Sequence, residues 1–416
     1  MSEYAVFTAA LGLHAPWSVT DIRFDESARR IDFDIGYQRG ARFACPACGT
    51  ADQPVHDRRK RTWQHLHFFQ HRAFIHAEVP RVRCGGCGKT TQVPVPWARP
   101  GSGFTLLFEA LVVTLCKQMP VNTVATHLGV SDDALWRVLA YYTEAAREQE
   151  NFSAVKALGI DETASKRGQH YITLFHDLEA KRLLFACPGA NQAAIKSFAK
   201  DLREHSGDPA NIKNVCIDMS KAFITGVAKH LPQATVTFDG SHIIQLANKA
   251  MDQVRREEAR YQPLLKRTRW IWLKDSKKWS SKQANQFHAL SGKKVKSARA
   301  WALKEGLREI LSTRLTREQA EQELTIWYRR ARWSRLEPIK RFALTIKAHW
   351  EGILNGFDSR LSNGRAEGIN SMIQAAKARA RGYRTPTNLI TIAYLLAGKF
   401  RRLPHSPYNT TSWVQA

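Results

Sequence analysis

Long apolar runs are missing from this chain. The longest, near Leu106 to Cys116, is interrupted by Glu109, too short and too polar for a membrane-spanning helix. The opening Met1-Ser2-Glu3-Tyr4 lacks the basic region and cleavage site of a secretory leader, so a cytoplasmic protein is expected, with no membrane partner. Acid is also scarce: 37 Asp and Glu stand against 63 Lys and Arg, a formal charge of +26 and a pI near 10.0. Such a field favours polyanions, with nucleic acid ahead of an anionic membrane surface. Cysteine is sparse, seven in all, and Cys116, Cys187 and Cys216 stand alone in apolar contexts, as buried thiols of a reducing compartment do.

What is present is organised in blocks, and 416 residues allow two to four domains. Alternation over Trp17 to Phe24 and Arg30 to Tyr37 predicts a hairpin. Two Cys-x-x-Cys pairs follow, Cys45/Cys48 and Cys84/Cys87, each a tight knuckle with small residues. Four thiolates suit a tetrahedral structural zinc. A disulfide pair or redox motif is the competing reading. The 35-residue spacer is long for a zinc ribbon but holds two alternating stretches, Arg61 to Phe69 and Ala73 to Val82. His56, His65, His67, His71 and His76 lie in it; metal ligation is open to them, but four cysteines already complete the shell, so they read as surface or DNA-backbone residues. Pro94 to Gly103 reads as a linker. Beyond the helix Phe104 to Lys117, the run Val121 to Leu139 has a helix, a Gly129 turn, a Ser131/Asp132 cap and a second helix. That is a helix-turn-helix pattern, with Ser131, Asp132, Asp133, Trp136 and Arg137 as candidate DNA-binding residues.

The chain is centred on Ala157-Leu158-Gly159-Ile160-Asp161-Glu162-Thr163, an apolar strand ending in acid. Two further strands, Tyr171 to Phe175 and Arg182 to Cys187, complete a meander, and an acid on its first strand suggests an RNase H-like sheet. After a helix at Ala193 to Glu204, a buried strand ends at Asp218 and another at Asp239, with His242 one turn into the next helix. Between Lys249 and Trp350 the chain carries 26 Lys and Arg against 10 Asp and Glu, and seven of the 12 Trp. This reads as a helical block with Trp in its core and basic residues available to phosphate. Last comes a helix from about Asn363, on which Asn363, Glu367, Asn370 and Gln374 share one stripe. Ile369, Met372 and Ile373 lie on another face, suited to burial against a sheet. Arg365, Lys377, Arg379, Arg381 and Arg384 are nearby cations for DNA.

Phosphodiester cleavage with two divalent ions needs hard oxygen ligands from separate elements. Asp161 is the natural bridging ligand, with Asp218 and Glu367 holding one ion each, magnesium or manganese. The order of four-cysteine ribbon, helix-turn-helix, Gly-Ile-Asp-Glu, Asp-Met-Ser, Phe-Asp-Gly-Ser-His and Ser-Asn-Gly-Arg-Ala-Glu-Gly-Ile-Asn, then Arg381-Gly382-Tyr383-Arg384, resembles the transposases of the ISL-three insertion-sequence family. The resemblance runs over nearly the whole chain. It implies a DDE triad at Asp161, Asp218 and Glu367, and terminal inverted repeats bound by the zinc and helix-turn-helix modules. It also implies a supporting role for Asp239 and His242, which match an Asp-x-x-His pair of related transposases, and Asn370 joins them within the stripe.

The expected architecture is therefore α+β and multidomain. It comprises a β-hairpin and zinc ribbon (1–95), a helix-turn-helix domain (96–150), and an RNase H-like core (151–248 and 351–416) interrupted by an all-α insertion (249–350). Expected partners are double-stranded DNA, both transposon ends and target, and a second copy of the chain as a homodimer, in a bacterial cytoplasm at the nucleoid. Two other functions fit parts of the sequence: an RNase H-like structure-specific nuclease, and a zinc-containing repressor without catalysis.

Overall fold

The structure, a computed structural model, describes residues 4–408 apart from 169, 190, 294, 362 and 363 and the side chain of Arg365. Asn363 and the Arg365 side chain, both expected near the site, thus lie outside the described residues. The chain forms two compact units: one runs to Glu144 and takes up the chain again from Arg401, and the other is Ala145–Phe400. No helix among the described residues is long and apolar enough to cross a membrane.

The first unit begins with α1 (Ala5–Ala10) and is built on a sheet of β1 (Trp17–Asp25), β2 (Arg30–Tyr37), β3 (Val55–Phe68), β4 (His71–Arg83) and β5 (Thr90–Gln92). The order is β1-β2-β4-β3, with β5 pairing the end of β4. Both hairpins read from alternation are present, and β2 joins β4 in parallel. The register sets Ile31, Phe33 and Ile35 beside Ala73, Ile75 and Ala77, all buried, because the period of two puts each apolar set on one face. The stretch 94–103 is not a free linker. Trp97 and Ala98 enter this core, and the Trp97 ring meets Trp17 and Trp63 edge-on at 5.1 and 5.5 Å. Burial of a large aromatic outweighs the local Pro/Gly composition. Nor are the spacer histidines all at the surface. His65 is half-buried against the Thr105 hydroxyl (2.9 Å) and His76 bonds Asp32 and Thr62.

The helices α2 (Leu106–Cys116), α3 (Val121–Leu128) and α4 (Asp132–Arg147) follow. Glu109, the acid inside the longest apolar run, is fully buried and fully partnered: Arg99, Ser102 and Tyr142 all donate to it, at 2.7–3.0 Å. A buried charge is tolerated only when paired and hydrogen-bonded, as Glu109 is.

The second unit contains β6 (Ala157–Ala164), β7 (Tyr171–Asp177), β8 (Arg182–Pro188), α5 (Gln192–Glu204), β9 (Asn214–Ile217), α6 (Lys221–His230) and β10 (Thr235–Phe238). Its sheet runs β10-β9-β6-β7-β8, with β6, β7 and β8 an antiparallel meander and β6, β9 and β10 parallel. Val215, Cys216 and Ile217 are completely buried, as a short strand covered on both faces must be. Cys116 is buried as expected; Cys187 is only partly so.

From β10 the chain turns helical: α7 (Gly240–Glu258), α8 (Arg269–Leu273), α9 (Ser281–Ser291), α10 (Lys296–Ser312), α11 (Arg317–Arg332), α12 (Glu337–Ala348) and α13 (Trp350–Ser359). Trp272, Trp327 and Trp350 are buried in this block, whereas Trp270 and Trp333 are 65% and 85% exposed, so the expectation of a Trp core holds for part of the set. Buried Lys304 donates to the Trp272 carbonyl (2.6 Å) and pairs with Glu305 (2.8 Å). α13 returns against β10, where Gly352 leaves room for Phe238; a Cβ there would lie 2.4 Å from that ring. The unit ends with α14 (Gly364–Arg379) and α15 (Pro386–Ala397).

Candidate active site

The parallel register sets three carboxylates level. Gly159 is opposite Cys216, and Ile217 opposite Phe238. Two residues on from the first pair stand Asp161 and Asp218; one residue on from the second stand Asp218 and Asp239. All three acids therefore stand where the parallel strands β6, β9 and β10 end or pass that level, the edge at which open α/β sheets bind ligands. Asp161 Oδ1 accepts from the Glu162 amide (2.7 Å), and His242 Nε2 lies 3.9 Å away. Asp218 accepts from the Ser220 amide (2.9 Å) at the start of α6. Asp239, 2% exposed, accepts from the Ser241 hydroxyl.

Across this edge lies α14, joined to β6 by its polar stripe. Asn370 donates to Asp161 Oδ2, Gln374 to the Thr163 hydroxyl and the Ala164 carbonyl, and Lys377 to the same carbonyl (2.5 Å). Seven helical residues rise about 10 Å, close to the three strand residues they follow. Glu367, one turn before Asn370, lies on the same stripe and is half-buried. The burial of α14 differs from expectation accordingly. Ala366, Ile373 and Ala376 are buried, Ile369 is half-buried and Met372 is 39% exposed, because the stripe, not the Met face, meets the sheet. Lys377, expected to touch DNA, is occupied with β6. Arg381 and Arg384 are exposed on the turn after α14, where Arg381 and Gly382 have φ of 54° and 101°.

The edge concentrates negative charge in a strongly basic protein. Burial first, then the charges of Asp239 and Asp218, raise the Asp161 carboxyl above its usual range, against the Glu162 amide and His242. Glu162, which sequence reasoning passed over although it adjoins Asp161, is pushed up to about 7 by burial and then by Asp218 and Asp161. The Asn370 Oδ1 is buried without a hydrogen-bond partner, a hard oxygen open toward a cation. The donor set thus fits a divalent ion in chemistry. Among the described residues, however, only the four cysteines bring three or more metal-ligating side chains within 4.8 Å of one another.

That cysteine set has matched halves. Gly49 and Gly88 follow the two pairs with φ of 77° and 69°, and their amides close onto the Cys45 and Cys84 carbonyls at 2.8 and 2.9 Å. Each pair therefore needs its glycine to turn the knuckle. Sγ–Sγ distances are 3.5 Å for Cys48–Cys84 and 3.8 Å for Cys45–Cys87, against about 3.8 Å for a tetrahedron with Zn–S bonds of about 2.3 Å. The Cys87 amide foremost holds Cys84 down to about 6, and although the Lys89 amide draws Cys87 down, burial and the other three thiols push it up to about 11. Repulsion among clustered thiolates is what a zinc ion relieves.

The helix pair α3–α4 turns at Gly129 (φ 66°), where the Val130 amide bonds the Ala125 carbonyl (3.0 Å). Ala125 and Leu135 are buried at the crossing, and the Ser131 hydroxyl caps α4 through the Ala134 amide (3.3 Å). Asp133 and Arg137 are exposed, while Asp132 and Trp136 are half-buried.

Comparison with known families assigns these parts. A model described as transposase matches residues 158–393, more than half of the chain. The chain belongs to the ISL3 transposase family. The family's helix-turn-helix model matches residues 93–143, and the zinc-finger model of the IS204/IS1001/IS1096/IS1165 transposases matches 41–87. The ISL3 chain is 27% identical to the transposase for insertion sequence element IS1557 of Mycobacterium tuberculosis, over 97% of this chain and 98% of that one. It is 25% identical to the transposase for IS1001 of Bordetella parapertussis, over 82% and 85%. In this ISL3 member the Cys45, Cys48, Cys84 and Cys87 cluster is a structural zinc site, and the helix-turn-helix and transposase domains suggest DNA binding.

Proposed function

We propose that this transposase cuts the 3′ ends of its element by hydrolysis and joins them to target DNA by transesterification, at a site made of Asp161, Asp218 and Glu367. The observation that carries the reading is the level placement of Asp161, Asp218 and Asp239 across three neighbouring strands, with Asn370 of α14 bonded to Asp161. The sheet order, an antiparallel meander extended by two parallel strands on the side of its first strand, is what an RNase H-like core requires. The helical segment between β10 and α14 is then its insertion.

In this reading Asp161, Asp218 and Glu367 hold two magnesium or manganese ions, with Asn370 Oδ1 a further hard donor. When bound, such ions lower the pKa of an attacking oxygen and stabilise the leaving one. The chain's own residues do the rest. The Asn370 amide fixes one Asp161 oxygen and the Glu162 amide the other, orienting the carboxylate. Gln374 and Lys377 hold α14 in register on β6, so Glu367 stays on the side of the acids. His242, beside Asp161, and Asp239 support the same edge. The zinc ribbon and α4, through Ser131, Asp132, Trp136 and Arg137, recognise the terminal inverted repeats, while Arg381 and Arg384 contact the strand being cut. Two ends held together imply a homodimer.

Asp161→Asn tests the assignment. Calorimetric titration with Mn²⁺ should lose the heat seen for wild type, and cleavage of a labelled element end should fall at least 1,000-fold with band-shift affinity retained. Cleavage by the variant at near wild-type rate contradicts the assignment.

A further inference from the structure

A cavity of about 310 Å³ opens in the second unit beside Asp239, lined on one side by the residues that flank it, Phe238 and Gly240. Leu311 and Leu315, around the α10–α11 turn, and Phe357 of α13 form apolar walls; all three are half-buried, so apolar surface is left open toward solvent. Nothing lies within 4 Å of where a Cβ on Gly240 would project, so the first turn of α7 leaves that side clear. Arg314 and Arg360 complete the lining; both are exposed, and neither guanidinium has a partner among the described residues.

Three features narrow the occupant. The volume is at the low end for small-molecule sites, about 300–1,000 Å³, and far too small for a duplex. Apolar and aromatic walls suit a flat ring, and unpaired guanidiniums suit a phosphate. The neighbouring acid belongs to the edge assigned above to DNA cleavage. We propose that the cavity takes one nucleobase swung out of the duplex next to the scissile phosphate, with the adjoining phosphate held by Arg314 and Arg360. Enzymes that act on an extruded nucleotide read it in such a pocket by stacking and shape. Here the pocket would hold the strand in place for the acids beside it. The inference rests on the cleavage reading.

The test uses full-length protein, calcium in place of magnesium to stop turnover, and duplex element ends carrying 2-aminopurine at single positions around the mapped cut. Wild type should raise the fluorescence severalfold at one position. Leu315→Trp, which fills the cavity, should abolish that rise, and Arg314→Ala, an exposed change that leaves the core untouched, should reduce it at least threefold. No response at any position, or the same response in both variants, overturns the proposal while leaving cleavage by wild type intact. Failure of wild type to cut the end in magnesium removes the cleavage reading itself, and this proposal with it.

Discussion

His176 sits on β7 in the row that includes Gly159, with both ring nitrogens buried and without a hydrogen-bond partner. Burial lowers its pKa to about 4 from the usual 6.5. The folded state thus binds fewer protons than the unfolded state between those values. Its contribution to stability is complete above pH 6.5 and is lost as pH falls toward 4, by about 3 kcal/mol at most. His176→Leu removes an unpaired buried polar group, which is neutral or stabilising at pH 7. Thermal melts across pH 4–7 should show a shallower acid limb for the variant; parallel curves would contradict this assignment. At the same scale, Asp161, Asp218 and Glu367 could be picked out as types at strand ends and in a polar stripe. Glu162 was legible as an acid beside Asp161, but its environment depends on burial, which one residue's neighbours in sequence do not give. The bond from Lys377 to the Ala164 carbonyl was not legible, since the two residues lie 213 positions apart.

Elements were legible wherever periodicity and punctuation agreed. The alternating hairpins, the Gly129 turn and the two cysteine knuckles stand as read, since each rests on local geometry. The stretch with Trp97 was misread because composition says nothing of what an aromatic finds to pack against. The level setting of the three aspartates was not legible either, as it depends on parallel register between distant strands. That register should be sensitive at the α13–β10 contact. Gly352→Ala forces a Cβ to 2.4 Å from Phe238, next to Asp239, and overpacking of this kind costs about 1–3 kcal/mol. Denaturant unfolding should show that loss together with reduced cleavage, whereas unchanged stability would mean the helix yields freely. For the zinc centre, Cys84→Ser should release zinc, loosen the first unit and weaken specific DNA binding while the second unit stays folded. Full zinc content in the purified variant would refute the four-ligand assignment.

At the scale of the molecule, charge is divided by task. The net +26 is concentrated outside the acidic edge, and the segment from Lys249 to Trp350 alone carries 26 cations against 10 anions. This field draws DNA toward the chain at low salt and weakens as salt rises. In the function proposed above, the acids at the edge act with cations bound, as metal-dependent strand transfer requires. The central claim is tested most directly by incubating labelled element ends and target DNA with magnesium, wild type beside Glu367→Gln. Joined products from wild type, with none from the variant although it still binds the ends, are the predicted result. Equal joining by both proteins would contradict the account.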